Sequence, residues 1–265
     1  MPHEYHRTHL APGNEEREAF FVAKYGPAQT TGWGPRSRRS FGYFTPADYY
    51  EILVARLVRP GIRWLDVGGG RAIFPENSRL SKELAERCQE LVAVDPSDNV
   101  HEHPFAHKRI QAYLEDFESS APFELATMRM VVEHVEHPDS FAAALNRLLV
   151  QNGLAVVFTI NRWAPLSLLA YHLPFSLHHP IKALFWGGEE KDTFPVQYRM
   201  NDRSQLQRAF GANGFVCEFL TKLDDLATLS KYRMGNAVEL QLRQTTHLLG
   251  LPYPENCLLA VFRKR

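Results

Sequence analysis

The chain has 265 residues, a length that suits one large α/β unit with additions better than two independent domains. Lys plus Arg equals Asp plus Glu, 30 against 30, so no bulk field draws it to nucleic acid or to an anionic membrane, and a small-molecule partner is expected. Cys88, Cys217 and Cys257 lie far apart without CxxC spacing, and their odd count argues against a disulfide framework and predicts a reducing, cytoplasmic setting.

Residues 1–18 lack the apolar run of a secretory signal. His3, His6 and His9 recur near the start, but a chain terminus rarely holds metal geometry, and they read as a polar tail. Residues 1–44 form the predicted N-terminal helical arm, and 45–265 the main domain. Apolar spacing from Thr45 to Leu57, with Thr45 as N-cap and Pro46 in the first turn, predicts a helix that Pro60-Gly61 stops. Short apolar runs then alternate with helical patterns: IRWLDV, a helix about 78–89, LVAVD, a short run about 109–114, FELATMRM, a helix about 139–150 and GLAVVFTI. Asn152-Gly153 reads as a helix stop and turn before the fifth strand. An aromatic segment, 163–198, follows as a cap insertion; its prolines, histidines and Lys182 break it as a membrane span. A helix about 202–213, FVCEFL, a helical stretch about 225–249 and CLLAVFRK complete the chain. The rhythm predicts an α/β fold, a Rossmann-like, mostly parallel seven-stranded sheet with helices on both faces.

Two features carry chemistry. Trp64-Leu65-Asp66-Val67-Gly68-Gly69-Gly70 is a strand with an acid near its end and a turn through three glycines, so that backbone faces a ligand closely. The next strand ends in Asp95, followed by Pro96, where a carboxylate can accept hydrogen bonds from ribose hydroxyls. A dinucleotide oxidoreductase shares this plan, but counting from Gly68 the sixth position of GxGxxG is Ile73, and an acid two residues before the turn repels a diphosphate. An RNA or protein methylating enzyme would call for a basic cleft or an NPPY-like turn where MVVEHV stands.

With these motifs the chain resembles the class I S-adenosylmethionine-dependent methyltransferases, in particular the small-molecule group with an EH pair after the fourth strand. The resemblance rests on LDVGGG, VAVDP, YLEDF, FELATMRMVVEHVEHP and LNRLLVQNGLAVVFTIN, and covers about residues 50–160. It implies Asp66, Gly68, Gly69 and Gly70 against the methionine part of the donor, Asp95 and Pro96 at the ribose, Leu114 and Glu115 at the adenine, and Met130 as a wall beside the donor. Two departures stand out: Tyr113 occupies a position where the family often has Asp, and the metal-binding ExxEH pattern would need Glu at Met130. No metal is assigned. His134 is the candidate general base, with a loop-packing histidine as the alternative. Trp163, Tyr171, His172, His178 and Trp186 are candidates to roof an apolar or aromatic acceptor, with a dimer contact or a membrane-surface contact as alternatives. GWGPRSRR and FPVQYR could offer cations to an acidic acceptor. The expected activity is O-methylation of a small molecule in a biosynthetic pathway; a non-catalytic donor-binding protein and a metal-assisted O-methyltransferase are the alternatives.

Overall fold

The computed structural model describes residues 10–27, 29–165, 194–226, 232–251 and 253–265. Helices α1 (Asn14–Tyr25), α2 (Trp33–Ser40) and α3 (Pro46–Leu57) precede the sheet. Then come β1 (Arg63–Val67), α4 (Ser78–Arg87), β2 (Glu90–Asp95), β3 (Lys108–Gln111), β4 (Phe123–Arg129), α5 (Pro138–Leu148) and β5 (Leu149–Ile160). Among the described residues α6 (Arg203–Ala212), β6 (Phe215–Leu223), α7 (Arg233–Leu248) and β7 (Cys257–Lys264) follow. The seven strands lie in the order β3-β2-β1-β4-β5-β7-β6, with β1 to β5 parallel and β7 antiparallel to both its neighbours. The expected α/β sheet is therefore observed. The strand order reverses between β1 and β4, so the carboxyl ends of β1, β2 and β4 open into one crevice.

Alternate side chains of the central strands feed two cores. Tyr50, Leu53, Leu84, Leu91 and Phe158 pack α3 and α4 on one face, while Phe141, Leu145, Leu206, Phe210 and Phe262 pack α5 and α6 on the other. Thr45 caps α3 through a reciprocal box with Asp48, and Pro46 occupies the first turn as expected. Helix α4 begins late, at Ser78, because the Asn77 side chain caps it by accepting from the Leu80 amide at 3.2 Å.

Three expectations are corrected. Asn152-Gly153 does not end the helix. Leu149, buried, already pairs with Phe123 as the first residue of β5, and Asn152 at φ 63° forms an irregularity inside the strand. The run about 109–114 splits into β3, whose ladder to β2 ends with the Ala112 amide on Asp95 O, and a separate 3-10 turn over Leu114–Asp116. The last helix of the described residues is Arg233–Leu248; residues 224–226 are not helical, the Leu226 amide donating to the Tyr43 hydroxyl at 3.1 Å, and residues 227–231 of the expected stretch lie outside the described residues.

The arm is held by buried charge. Lys24 of α1 meets Asp48 at 3.0 Å and Glu51 at 2.8 Å on α3, and all three side chains are almost fully buried. Tyr25 also donates to Asp48, and the other Glu51 oxygen accepts from Asn77 at 2.7 Å, so the arm, α3 and the cap of α4 share one network. Burial opposes the Lys24 charge, but Asp48 and Glu51 outweigh it and raise its pKa; Glu51 is itself pushed up by burial. Lys24→Met leaves two buried carboxyls without their cation and is expected to lower unfolding stability by about 3 kcal/mol in urea titrations. A loss below about 1 kcal/mol would show that this network does not hold the arm.

Candidate functional site

The glycine turn after β1 is shaped by close approach. The Gly68 amide donates to Val94 O at 2.8 Å, and a Cβ at Gly68 would lie 2.3 Å from Val131 Cγ2, with φ at +65°. A Cβ at Gly69 would come within 2.9 Å of the Ala93 Cβ. Side chains are thus excluded at both positions, and backbone lines this part of the crevice. Asp95 ties the turn to β2: its Oδ2 accepts from the Gly70 amide at 3.0 Å and its Oδ1 from the Ser97 amide at 2.8 Å. These two amides fix the carboxylate at the carboxyl end of β2, beside the glycine turn. Pro96, half-buried, leads out of the strand.

Asp66 is buried in the sheet. Its Oδ1 accepts from the Thr127 hydroxyl at 2.8 Å, and that hydroxyl accepts from the Trp64 indole N–H at 2.8 Å. Burial pushes the Asp66 carboxyl up to about 7, and neighbouring Asp95 adds to the rise; the Thr127 bond and the charge of Arg129 oppose it. The link from Asp66 through Thr127 to Trp64 escaped the sequence reading, since the partners lie on different strands and form no sequence motif.

Met130 follows β4 with φ at 53°, a backbone conformation that costs a methionine about 1 kcal/mol, and is anchored by its amide to Phe158 O at 2.8 Å. This turn sends Val131 over Gly68. Glu133 is buried and its Oε2 accepts from Thr159 at 2.8 Å, with Asn201 donating to the same hydroxyl at 2.9 Å; burial raises the Glu133 pKa. Its neighbour His134 is half-buried, with Nδ1 3.1 Å from Pro195 O. A carbonyl only accepts, so Nδ1 is the donor in this contact, and in the neutral ring with this tautomer Nε2 is the proton acceptor.

Leu114 is buried and Glu115 half-buried in the turn beside Asp95, where the Ala112 amide donates to Asp95 O at 3.1 Å; Tyr113 is exposed. Asp95, the glycines, Leu114 and Met130 therefore gather along the carboxyl edges of β1 to β4. Trp163 is exposed beyond β5, its indole N–H donating to Asp202 at 3.3 Å and its ring under Arg162. Tyr171, His172, His178 and Trp186, and His3, His6 and His9, lie outside the described residues. The arginines suggested for an acidic acceptor are engaged elsewhere: Arg36 on Thr31 O, Arg39 on Glu18, Arg199 on Glu136 O, and Arg38 over the Tyr25 ring.

A profile described as a methyltransferase domain matches residues 43–218. A ubiquinone biosynthesis O-methyltransferase of Caulobacter is 28% identical over 168 residues, 53% of this chain and 62% of that protein. The chain thus spans less than two thirds of the curated relatives it matches. In fold it is similar to the YcgJ protein of Bacillus subtilis, at TM-score 0.50 and 17% identity over 81% of this chain and 97% of that one. It is also similar to a mycolic acid cyclopropane synthase solved with SAH and CTAB, at TM-score 0.50 and 17% identity over 99% of both chains.

Because Asp66 binds its proton more tightly when folded, the stability it contributes is complete below its ordinary value of 3.8 and is lost as pH rises through about 7. Asp66→Asn is therefore expected to gain on the wild type by on the order of 3 kcal/mol between pH 4 and 8 in denaturant titrations. A difference that does not change with pH would contradict this account of the carboxyl.

Proposed function

The chain belongs to the methyltransferase domain family as a class I S-adenosylmethionine-dependent enzyme, and from that premise we propose that it methylates a hydroxyl of a small, apolar or aromatic acceptor in a biosynthetic pathway. In this reading the backbone of Gly68, Gly69 and Gly70 receives the methionine part of the donor, above a buried Asp66. Asp95, held at the end of β2 by the Gly70 and Ser97 amides, takes the ribose hydroxyls, and Leu114 and Glu115 border the adenine. Met130 walls the donor where β4 ends.

The observation that carries the reaction type is the His134 ring, fixed by Pro195 O with Nε2 left as a proton acceptor next to the turn that ends β4. The acceptor oxygen attacks the methyl carbon in line with the sulfur, the carbon–sulfur bond breaks with its electron pair passing to sulfur, and the acceptor proton goes to Nε2. The O-methyltransferase activity named for the Caulobacter relative supports oxygen as the methylated atom. The hydrogen bond from Thr159 to Glu133, with Asn201 donating to the same hydroxyl, favours a metal-free route, because that carboxylate is already engaged in the protein. Trp163 stands at the start of the segment we assign to acceptor binding, together with Tyr171, His172, His178 and Trp186.

No helix among the described residues is long and apolar enough to cross a membrane. With labelled donor and a panel of phenols and catechols, His134→Ala is expected to lower kcat by about 10²- to 10⁴-fold while donor binding stays within about threefold. The deficit should shrink as pH approaches the acceptor's own ionisation, near 10 for a phenol, where no base is needed. Equal turnover by the variant and the wild type would remove His134 from the reaction.

A further inference from the structure

Arg129 ends β4, following the buried Leu125, Ala126, Thr127 and Met128. Thr127 lies level with Asp66 of β1 in the parallel pairing and Met128 level with Val67, so Arg129 lies level with Gly68, the first residue of the glycine turn. Strand alternation puts it on the same face as Thr127, the face on which Asp66 is bound. Its other neighbour is Phe158 of β5. The residue is half-buried, and its guanidinium makes no hydrogen bond or ion pair with the described residues, while its nitrogens stay accessible.

That sets it apart from other arginines of the sheet and its connections. Arg63 pairs with Glu90, Arg71 with Glu102 and Arg263 with Glu218, and Arg162 donates to a backbone carbonyl. A partly desolvated cation is costly unless something of opposite charge reaches it, and Asp66 and Glu133, though within its field, are bound to Thr127 and Thr159. A planar guanidinium offers two parallel N–H donors that match a carboxylate.

We infer that Arg129 is the carboxylate-binding residue of this site: placed level with the glycine turn and unpaired among the described residues, it takes the carboxylate of a bound ligand. The inference rests on the proposed donor site. Two ligands can bring that carboxylate, the amino-acid tail of the donor or an acid group on the acceptor, and both would bind at the same guanidinium.

The test is calorimetric titration of wild type, Arg129→Gln and Arg129→Lys with S-adenosylhomocysteine and with 5′-methylthioadenosine, which lacks the amino-acid tail. The protein saturated with S-adenosylhomocysteine is then titrated with 3,4-dihydroxybenzoate and with catechol. If the donor supplies the carboxylate, Arg129→Gln weakens S-adenosylhomocysteine by about 10- to 100-fold, leaves methylthioadenosine within twofold, and Arg129→Lys recovers part of the loss. If the acceptor supplies it, both nucleosides bind unchanged and the preference for dihydroxybenzoate over catechol disappears. Unchanged binding of all four ligands by Arg129→Gln overturns the inference while leaving the donor site standing. Failure of the wild type to bind either nucleoside overturns the donor site and this inference together.

Discussion

The contact of Val131 with Gly68 is the constraint on which the arrangement of the crevice depends. Three strands must end within a few ångströms of one another for backbone, rather than side chains, to face a ligand. The β1 turn achieves this by bonding Val94 of β2 through the Gly68 amide and by passing beneath Val131 where β4 ends. Val131 reaches that place because Met130 adopts a left-handed backbone conformation, with its amide fixed to Phe158 of β5. The small conformational cost at Met130 is thus offset by packing and hydrogen bonds from two neighbouring strands, as expected where strain sits beside a functional crevice.

Charge is arranged around this contact in two layers. Inside the sheet, Asp66 is held by Thr127 and Trp64 beneath the turn, and Asp95 holds the turn from the side of β2. Further out, Lys24, Asp48 and Glu51 lock the arm to α3, and Glu51 passes the connection to Asn77, the cap of the helix that follows the turn. The arm is therefore coupled through buried polar contacts to the segment that leads from the glycines into α4. Tyr43 adds a second attachment by accepting from the Leu226 amide and donating to Asp224 O at 3.1 Å.

Much of this was legible in the sequence. Strand runs such as LVAV and GLAVVFTI mark a buried parallel sheet because both faces are covered, and Thr45 and Pro46 announce a helix start by their chemistry. The glycine turn was legible as a place where backbone approaches its neighbours closely, and Asp95 as the acid that ends the second strand. The boundary at Leu149 was not, since a helix stop and a strand irregularity both use Asn-Gly, and only the pairing with Phe123 separates them. Partners distant in sequence were equally hidden: Lys24 with Asp48 and Glu51, Thr127 with Asp66, and Val131 with Gly68. The charge of Arg129 within FELATMRM was a visible anomaly, but its meaning depends on being unpaired among the described residues, which only the fold reveals.

The most direct test of the central claim, that the glycine turn packed under Val131 is the donor site, is S-adenosylhomocysteine binding by Gly68→Ala, Val131→Ala and the double variant. The account predicts that Gly68→Ala binds at least 100-fold more weakly and that Val131→Ala stays within about threefold. The double variant should regain at least tenfold over Gly68→Ala, retaining a deficit on the order of 1 kcal/mol from the left-handed backbone at residue 68. Wild-type affinity in Gly68→Ala, or a double variant no better than Gly68→Ala, would contradict it.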